Sequence, residues 1–369
     1  MISPWTYRPV GRRDPRLDWL RGYALFVMIA DHVGGPASLL YPITGNTRYY
    51  TSAAEAFYFV SGVTLGLISA STDWRSASKR VLSRALVLYR TGTFISLVAA
   101  AFGAFTTLEF WGRASFLERQ STFLNFAFRT LTMRDEAGGG GILVLYVLFM
   151  LVTPLAFWAL ARGWAWAVLG VSALLYVASQ LVPNLLRTPF AAYFEPTAWQ
   201  VLFFLGLVIG FDRVKMVNWF ARVPKLRLRL EWATLILALA SVVVFVTGTS
   251  VWPATPEMLG AREVMRPARL ALVLVNLFAL HFVVSWLWQP LRAAFGWLFE
   301  PLGRSSLWAF TTQYLAIGLI FNIPAFRATS SVWGGTAWQL LAVLLVWGSI
   351  GLYQWLMPKV RAKGSSGPA

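Results

Sequence analysis

The chain has 369 residues, 57% of them hydrophobic and only 13% charged, with 19 Trp and a formal charge of +17. A soluble domain carries about a quarter charged residues because its surface faces water, so this composition excludes an ordinary soluble globular protein and points to a chain built for lipid. The basic residues lie between apolar runs, not in a soluble domain with its own core, which argues against a nucleic-acid partner; with no Cys and two His, neither a disulfide framework nor a thiolate or His-rich metal site is expected.

Met1 to Arg16 lacks an apolar stretch followed by a small-residue cleavage site, so a retained basic tail is expected, not a signal peptide. After it, runs of mostly apolar residues long enough to span a bilayer predict ten transmembrane helices. They lie near 17–41, 53–71, 82–106, 141–161, 163–182, 198–211, 231–250, 268–288, 305–323 and 335–357. The expected fold class is therefore an all-α, polytopic membrane bundle: one transmembrane domain over 17–357, between basic tails at 1–16 and 358–369. If the N-terminus is cytoplasmic, the inner segments hold twice as many Lys and Arg as the outer ones. That bias places both termini inside, as an even number of spans requires.

The first span carries ionisable residues at a cost of about 2.5 to 3.5 kcal/mol each near the bilayer centre, so they need a reason. Arg21 and His32 are eleven positions apart, which on a helix brings them to one face about 16 Å from each other along the axis. Asp18 lies one turn before Arg21 on that stripe, and Asp31 points about 100° away. The second span opens SAAEAFYFVSGVTLG (52–66), and a carboxylate on Glu55 could orient the His32 imidazole and stabilise its protonated form. Ser61, Gly62 and Gly66 are small residues that allow close helix approach.

Lys79, Arg80 and Arg84 fall at the cytoplasmic mouth of the third span, with Arg90 deeper; such guanidinium groups suit a phosphate-bearing ligand. The outer segment 107–140 contains STFLNFAFRTLTMR (121–134), whose helical periodicity predicts a helix lying in the interface. The densest basic run, RVKMVNWFARVPKLRLRL (213–230), faces the anionic cytoplasmic leaflet as a topology anchor. His281 reads as a hydrogen-bonded core histidine. Gln200, Gln313 and Tyr314 are polar groups inside spans and must meet a partner or a ligand.

RLDWLRGYALFVMIADHVGG followed by SAAEAFYFVSGVTLG resembles the start of the OpgC-like branch of the acyltransferase-3 superfamily. Its hallmark is Arg or Lys, ten residues, then His, here Arg21 and His32, followed in the second span by the pattern of Glu55, Phe57, Phe59, Ser61 and Gly62. ILVLYVLFMLVTPL (142–155), FEPTAWQVLFFLGLVIG (194–210) and PLGRSSLWAFTTQYL (301–315) are similar to OpgC relatives too. Where those relatives carry Leu-Pro-Leu-Tyr, this chain has Leu143-Val144-Leu145-Tyr146 without the proline.

The resemblance implies a multi-pass enzyme of the bacterial inner membrane. It would move an acyl group, succinyl or acetyl, from cytoplasmic acyl-CoA to a hydroxyl of an extracytoplasmic glucan or other glycan. His32 would be the base, with Glu55, Arg21 and Asp31 as its companions. Arg80, Arg84, Arg90 and Ser61 would meet the acyl-CoA, while Tyr146, Trp199, Gln200, Gln313 and Tyr314 would meet the acceptor. No tightly bound cofactor and no metal are implied; the partners are acyl-CoA, the carbohydrate and the lipid bilayer, with a homodimer left open. A competing reading of the same residues is a proton-coupled transporter using His32 and Glu55 as a relay. A lipid-linked sugar transferase would want an acidic cluster for Mg²⁺ at a loop, and the chain has none.

Overall fold

The structure is a computed structural model and describes residues 14–35, 37–45, 51–110, 113–118, 121–136, 140–182, 185–186, 194–251 and 263–364. Most of the expected N-terminal tail (1–13) and the end of the C-terminal tail (365–369) lie outside the described residues. Every regular element among the described residues is a helix. In chain order they are α1 (Pro15–Val33), α2 (Tyr41–Thr44), α3 (Ala53–Ser69), α4 (Trp74–Phe105), α5 (Arg113–Glu118), α6 (Phe123–Leu131), α7 (Gly140–Ala161) and α8 (Ala165–Leu181). There follow α9 (Pro196–Phe211), α10 (Arg213–Arg222), α11 (Pro224–Val251), α12 (Pro267–Trp286), α13 (Trp288–Arg304), α14 (Ser306–Phe321), α15 (Pro324–Arg327) and α16 (Val332–Gly364).

Each of the ten apolar runs overlaps a helix. Four stretches, 74–105, 141–161, 267–286 and 332–356, are long and apolar enough to cross a membrane, and 53–69, 165–181, 196–211 and 306–321 are shorter apolar helices. Local chemistry sets several boundaries. The Asp73 carboxylate accepts from the amides of Arg75 and Ser76 at 3.0 and 3.2 Å, satisfying two of the first donors of α4. Pro196 and Pro267 occupy first-turn positions of α9 and α12, where a missing N–H costs nothing. α1 stops at Val33 rather than running on to 41, because Gly34 and Gly35 take φ of 65° and 111°, outside any right-handed helix.

The chain divides into two compact units. The first comprises 1–16, 49–107 and 111–288; the second comprises 17–48, 108–110 and 289–369.

In the first unit, α3 and α9 lie backbone to backbone. A Cβ added to Gly62 would strike the carbonyl of Phe203, and one on Gly66 that of Leu207; conversely, Gly206 faces the carbonyl of Phe59 and Gly210 that of Val63. Contact positions rise together along both helices, so they run parallel, with two small-residue stripes facing each other. α12 runs parallel to α3 as well, since Arg269 meets Glu55 and Phe278 meets Phe59, the rings 5.7 Å apart. The N-termini of α3, α9 and α12 therefore share one end of the unit. α11 returns antiparallel to α12, pairing Ser241 with Asn276 at 3.3 Å and Trp232 with Trp286. α6 is the helix expected within 121–134: Phe126 is buried, whereas Leu124 is 80% and Phe128 61% exposed.

In the second unit, α13 is a helix where the hydropathy profile leaves only an inner segment between spans. It lies antiparallel along the first half of α1, with Gly22 against the Phe299 carbonyl and Gly303 against that of Asp18. Phe299 also packs its ring on Trp19, Tyr23 and Phe26. α14 and α16 are antiparallel, joined by Trp308 donating to Ser349 at 3.1 Å and by the Trp308–Tyr353 stack. Past the end of α1, Ser38 donates to Gln339 at 2.6 Å and the Gln339 amide donates to the Gly34 carbonyl at 3.0 Å, fixing that end to α16.

Candidate functional site

The second unit carries His32, Asp31, Arg21, Gln313 and Tyr314, and the first carries the remaining candidates. α1 is one unbroken helix from 15 to 33, so Arg21 and His32 do share a face. His32 and Asp31 are partly buried near its last turn. At the other end, Arg21 approaches Asp18 at 3.8 Å, Asp18 approaches Arg304 at 3.9 Å, and Arg304 donates to Glu300 at 2.5 Å. Arg292 donates to the same Glu300 at 2.7 Å. A ladder of alternating charge thus begins at Arg21 and continues onto α13, a helix that a span-by-span reading does not resolve. From α14, the fully buried Gln313 amide reaches the Met28 sulfur at 3.6 Å. Met28 and His32 are one helical turn apart on the same face, so Gln313 meets α1 at the turn before His32.

In the first unit, Glu55 is fully buried and accepts from the Ser52 amide at 2.5 Å, closing the first turn of α3, and from the Arg269 guanidinium at 2.6 Å. Arg269 is itself 4% exposed. This partner was missed because its position, at the head of the run PARLALVLV, reads as an ordinary charge in an outer loop. Glu55 is therefore a carboxylate already paired with a guanidinium.

Tyr146 donates from its hydroxyl to the Phe57 carbonyl at 2.7 Å and stacks on Tyr58 at 4.4 Å. Gln200 accepts from the Ser172 hydroxyl at 2.7 Å and donates to the Ser172 and Thr197 carbonyls at 2.8 and 3.1 Å. Its amide joins α8 to α9. Trp199 is fully buried and donates to the Glu263 carbonyl at 3.1 Å. Ser61 is partly buried.

On α4 the buried stripe runs through Ala77, Val81, Ala85, Leu88 and Gly92. Arg80 and Arg84 stand together on one flank of that stripe, and Arg90 points to the opposite side. All three are exposed. The guanidinium pair brought together is thus Arg80 with Arg84, and Arg90 is not part of it.

One further polar cluster lies where the first unit begins. Arg16 holds the buried Asp14 carboxylate through two bonds of 3.0 and 2.9 Å, and Arg213 adds a third at 3.2 Å. Arg16 also donates to Ser285 at 3.1 Å. Burial alone would raise the Asp14 pKa, but the Arg16 hydrogen bond and the charges of Arg16 and Arg213 outweigh it and hold the carboxyl below its ordinary value. Asp14 and Arg16 are thereby structural parts of the fold, although they belong by sequence to the basic tail.

A family model described as OpgC protein matches residues 13–358, nearly the whole chain. The chain belongs to the OpgC protein family. No curated protein and no solved structure matches it. Membership in the OpgC family points to a membrane acyltransferase that modifies glucan, and the apolar helices are those of a membrane protein. For such a transferase the chemical need is a base for the attacking hydroxyl and donors for the oxyanion that forms. The second unit of this OpgC-family chain holds the His32 imidazole on α1 and the buried Gln313 amide against Met28 of the same helix.

Proposed function

We propose that this OpgC-family chain is a multi-pass O-acyltransferase of the bacterial inner membrane. It has ten spans and both termini in the cytoplasm, and it carries a succinyl or acetyl group from cytoplasmic acyl-CoA to a hydroxyl of an extracytoplasmic glucan. The observation that carries the reading is the family match over 13–358, within which Arg21 and His32 keep the spacing of the superfamily hallmark on one face of α1.

In the proposed reaction, His32 takes the proton of the acceptor hydroxyl as its oxygen adds to the thioester carbonyl carbon. The carbon–sulfur bond then breaks, the imidazolium returns the proton to the departing sulfur, and the products are a glucan ester and free CoA thiol. Gln313 is proposed to steady the developing oxyanion, the Arg80 and Arg84 pair to hold the CoA phosphates by bidentate bonds, and Glu55 with Arg269 to fix the outer ends of α3 and α12. The parallel run of α3, α9 and α12, each a span that a ten-helix topology directs inward, supports that topology, as does the excess of Lys and Arg in the inner segments.

The test is release of free thiol from acyl-CoA by the purified protein in the presence of a glucan oligosaccharide. His32→Ala is expected to lower the glucan-dependent rate by about 10²–10⁴-fold, the span typical of a general base, without changing thermal stability by more than a surface substitution would. Undiminished turnover in that variant removes His32 from the mechanism.

A further inference from the structure

Glu195 is a fully buried carboxylate whose surroundings do not account for it. One oxygen, Oε1, accepts from the Thr197 hydroxyl at 2.8 Å. The other, Oε2, is buried and has no hydrogen-bond partner among the described residues. Glu195 stands at the mouth of α9, and its side chain takes no bond from the first free amides of that helix. The contrast with Glu55, near the corresponding end of the parallel α3, is direct: that carboxylate has a guanidinium and a backbone amide. A buried acceptor without a donor is costly, and such an atom calls for a group that completes it.

The neighbourhood says what kind of group. Three residues, Glu263 to Met265, lie across the start of α9 as a strap. The Glu263 carbonyl accepts from both the Glu195 amide at 3.0 Å and the Trp199 indole at 3.1 Å. Tyr176 and Gln180 on α8 donate to the Met265 and Val264 carbonyls at 2.8 and 2.9 Å. Met265 sits at φ 46°, a left-handed conformation that a side chain disfavours, so these bonds hold the strap where its own backbone preference would not. Beneath it are a carboxylate oxygen awaiting a donor and a large aromatic ring four residues along the same helix.

No group of His, Cys, Asp or Glu suited to a metal ion occurs among the described residues. An uncharged hydroxyl is a donor that meets Oε2 without a second ligand, whereas the Trp199 indole is already packed edge-to-face with Phe194 at 4.7 Å and Tyr58 at 5.6 Å, so the carboxylate defines the contact. We infer that Glu195, beside the 263–265 strap, marks a subsite for one sugar ring of the glucan acceptor. Glu195 Oε2 accepts a ring hydroxyl. The inference rests on the glucan-acceptor reading given above. Thr197 is the positioning residue, fixing the carboxylate through its other oxygen.

The experiment measures thiol release at saturating acyl-CoA as a soluble glucan oligosaccharide is varied, for the wild type, Glu195→Gln and Thr197→Val. It is run beside thioester hydrolysis without glucan. Glu195→Gln is expected to raise the KM for glucan by about 10- to 100-fold, the loss that accompanies one hydrogen bond to a charged group. The kcat, the KM for acyl-CoA and the glucan-independent hydrolysis stay at wild-type values. Thr197→Val moves the same KM in the same direction by about 3- to 10-fold, as for one neutral hydrogen bond. A folded Glu195→Gln protein with an unchanged KM for glucan, or with a loss in kcat alone, overturns the assignment. If that variant does not fold, an unchanged KM in Thr197→Val overturns it instead. A wild type whose thiol release ignores glucan sinks the acceptor reading itself, whereas a responsive wild type matched by its variants sinks only the role of Glu195.

Discussion

Arg269 and Glu55 are respectively 4% and 0% exposed, and their 2.6 Å contact joins α12 to α3. Removing one partner of such a pair strands a buried charge and costs about 3–5 kcal/mol, while replacing both by uncharged groups of similar size is often near neutral. Arg269→Met is therefore expected to lower the unfolding free energy by about 3–5 kcal/mol. The double variant with Glu55→Gln is expected to regain most of it in a thermodynamic cycle. Equal losses in the single and double variants would mean that the two groups do not depend on each other. At this scale the sequence is legible where a residue's type is incongruous with its surroundings. Arg21, His32 and Glu55 stand out because each is ionisable within an apolar run. Arg269, Glu195 and Asp14 do not, because each falls at or beyond the end of its apolar run, beside a loop or tail where charges are common, and only the packing of distant segments buries them.

Among the elements, the α3–α9 pair lies backbone to backbone, and its cause is a stripe of glycine on each helix. Gly62 and Gly66 are visible in the sequence as small residues one turn apart, but their counterparts Gly206 and Gly210, about 140 positions away, become meaningful only when the register is known. Gly206→Leu would drive a side chain into the Phe59 carbonyl and is expected to cost at least about 1–3 kcal/mol through overpacking. The control is Gly170→Leu on α8, where a Cβ meets nothing within 4 Å, and there thermal unfolding should be little changed. Similar losses at both positions would show that glycine matters for reasons other than the α3–α9 contact. α13 shows the opposite side of legibility. Its apolar residues recur at helical spacing, but Gln289, Pro290, Arg292, Glu300 and Arg304 lower its average hydropathy below that of a span. A criterion tuned to bilayer-crossing runs passes over a helix that buries only one face.

At the level of the whole molecule, each of the ten apolar runs overlaps a helix, and four helices are long and apolar enough to cross a membrane. The bias of Lys and Arg is the sequence signal behind the orientation proposed for them. The division into two units was not legible, because the second is assembled from residues 17–48 and 289–369, and no local pattern announces that the first span packs with the last ones. The chemistry proposed for this membrane-embedded chain converges on His32. The most direct measurement is mass spectrometry of envelope glucans from cells lacking the gene, supplied with either the wild-type chain or His32→Ala, both confirmed in the membrane at equal amounts. The account predicts ester-linked acyl groups on glucan with the wild type and their loss with the variant; glucans equally acylated in both, or acylated in neither, would contradict it.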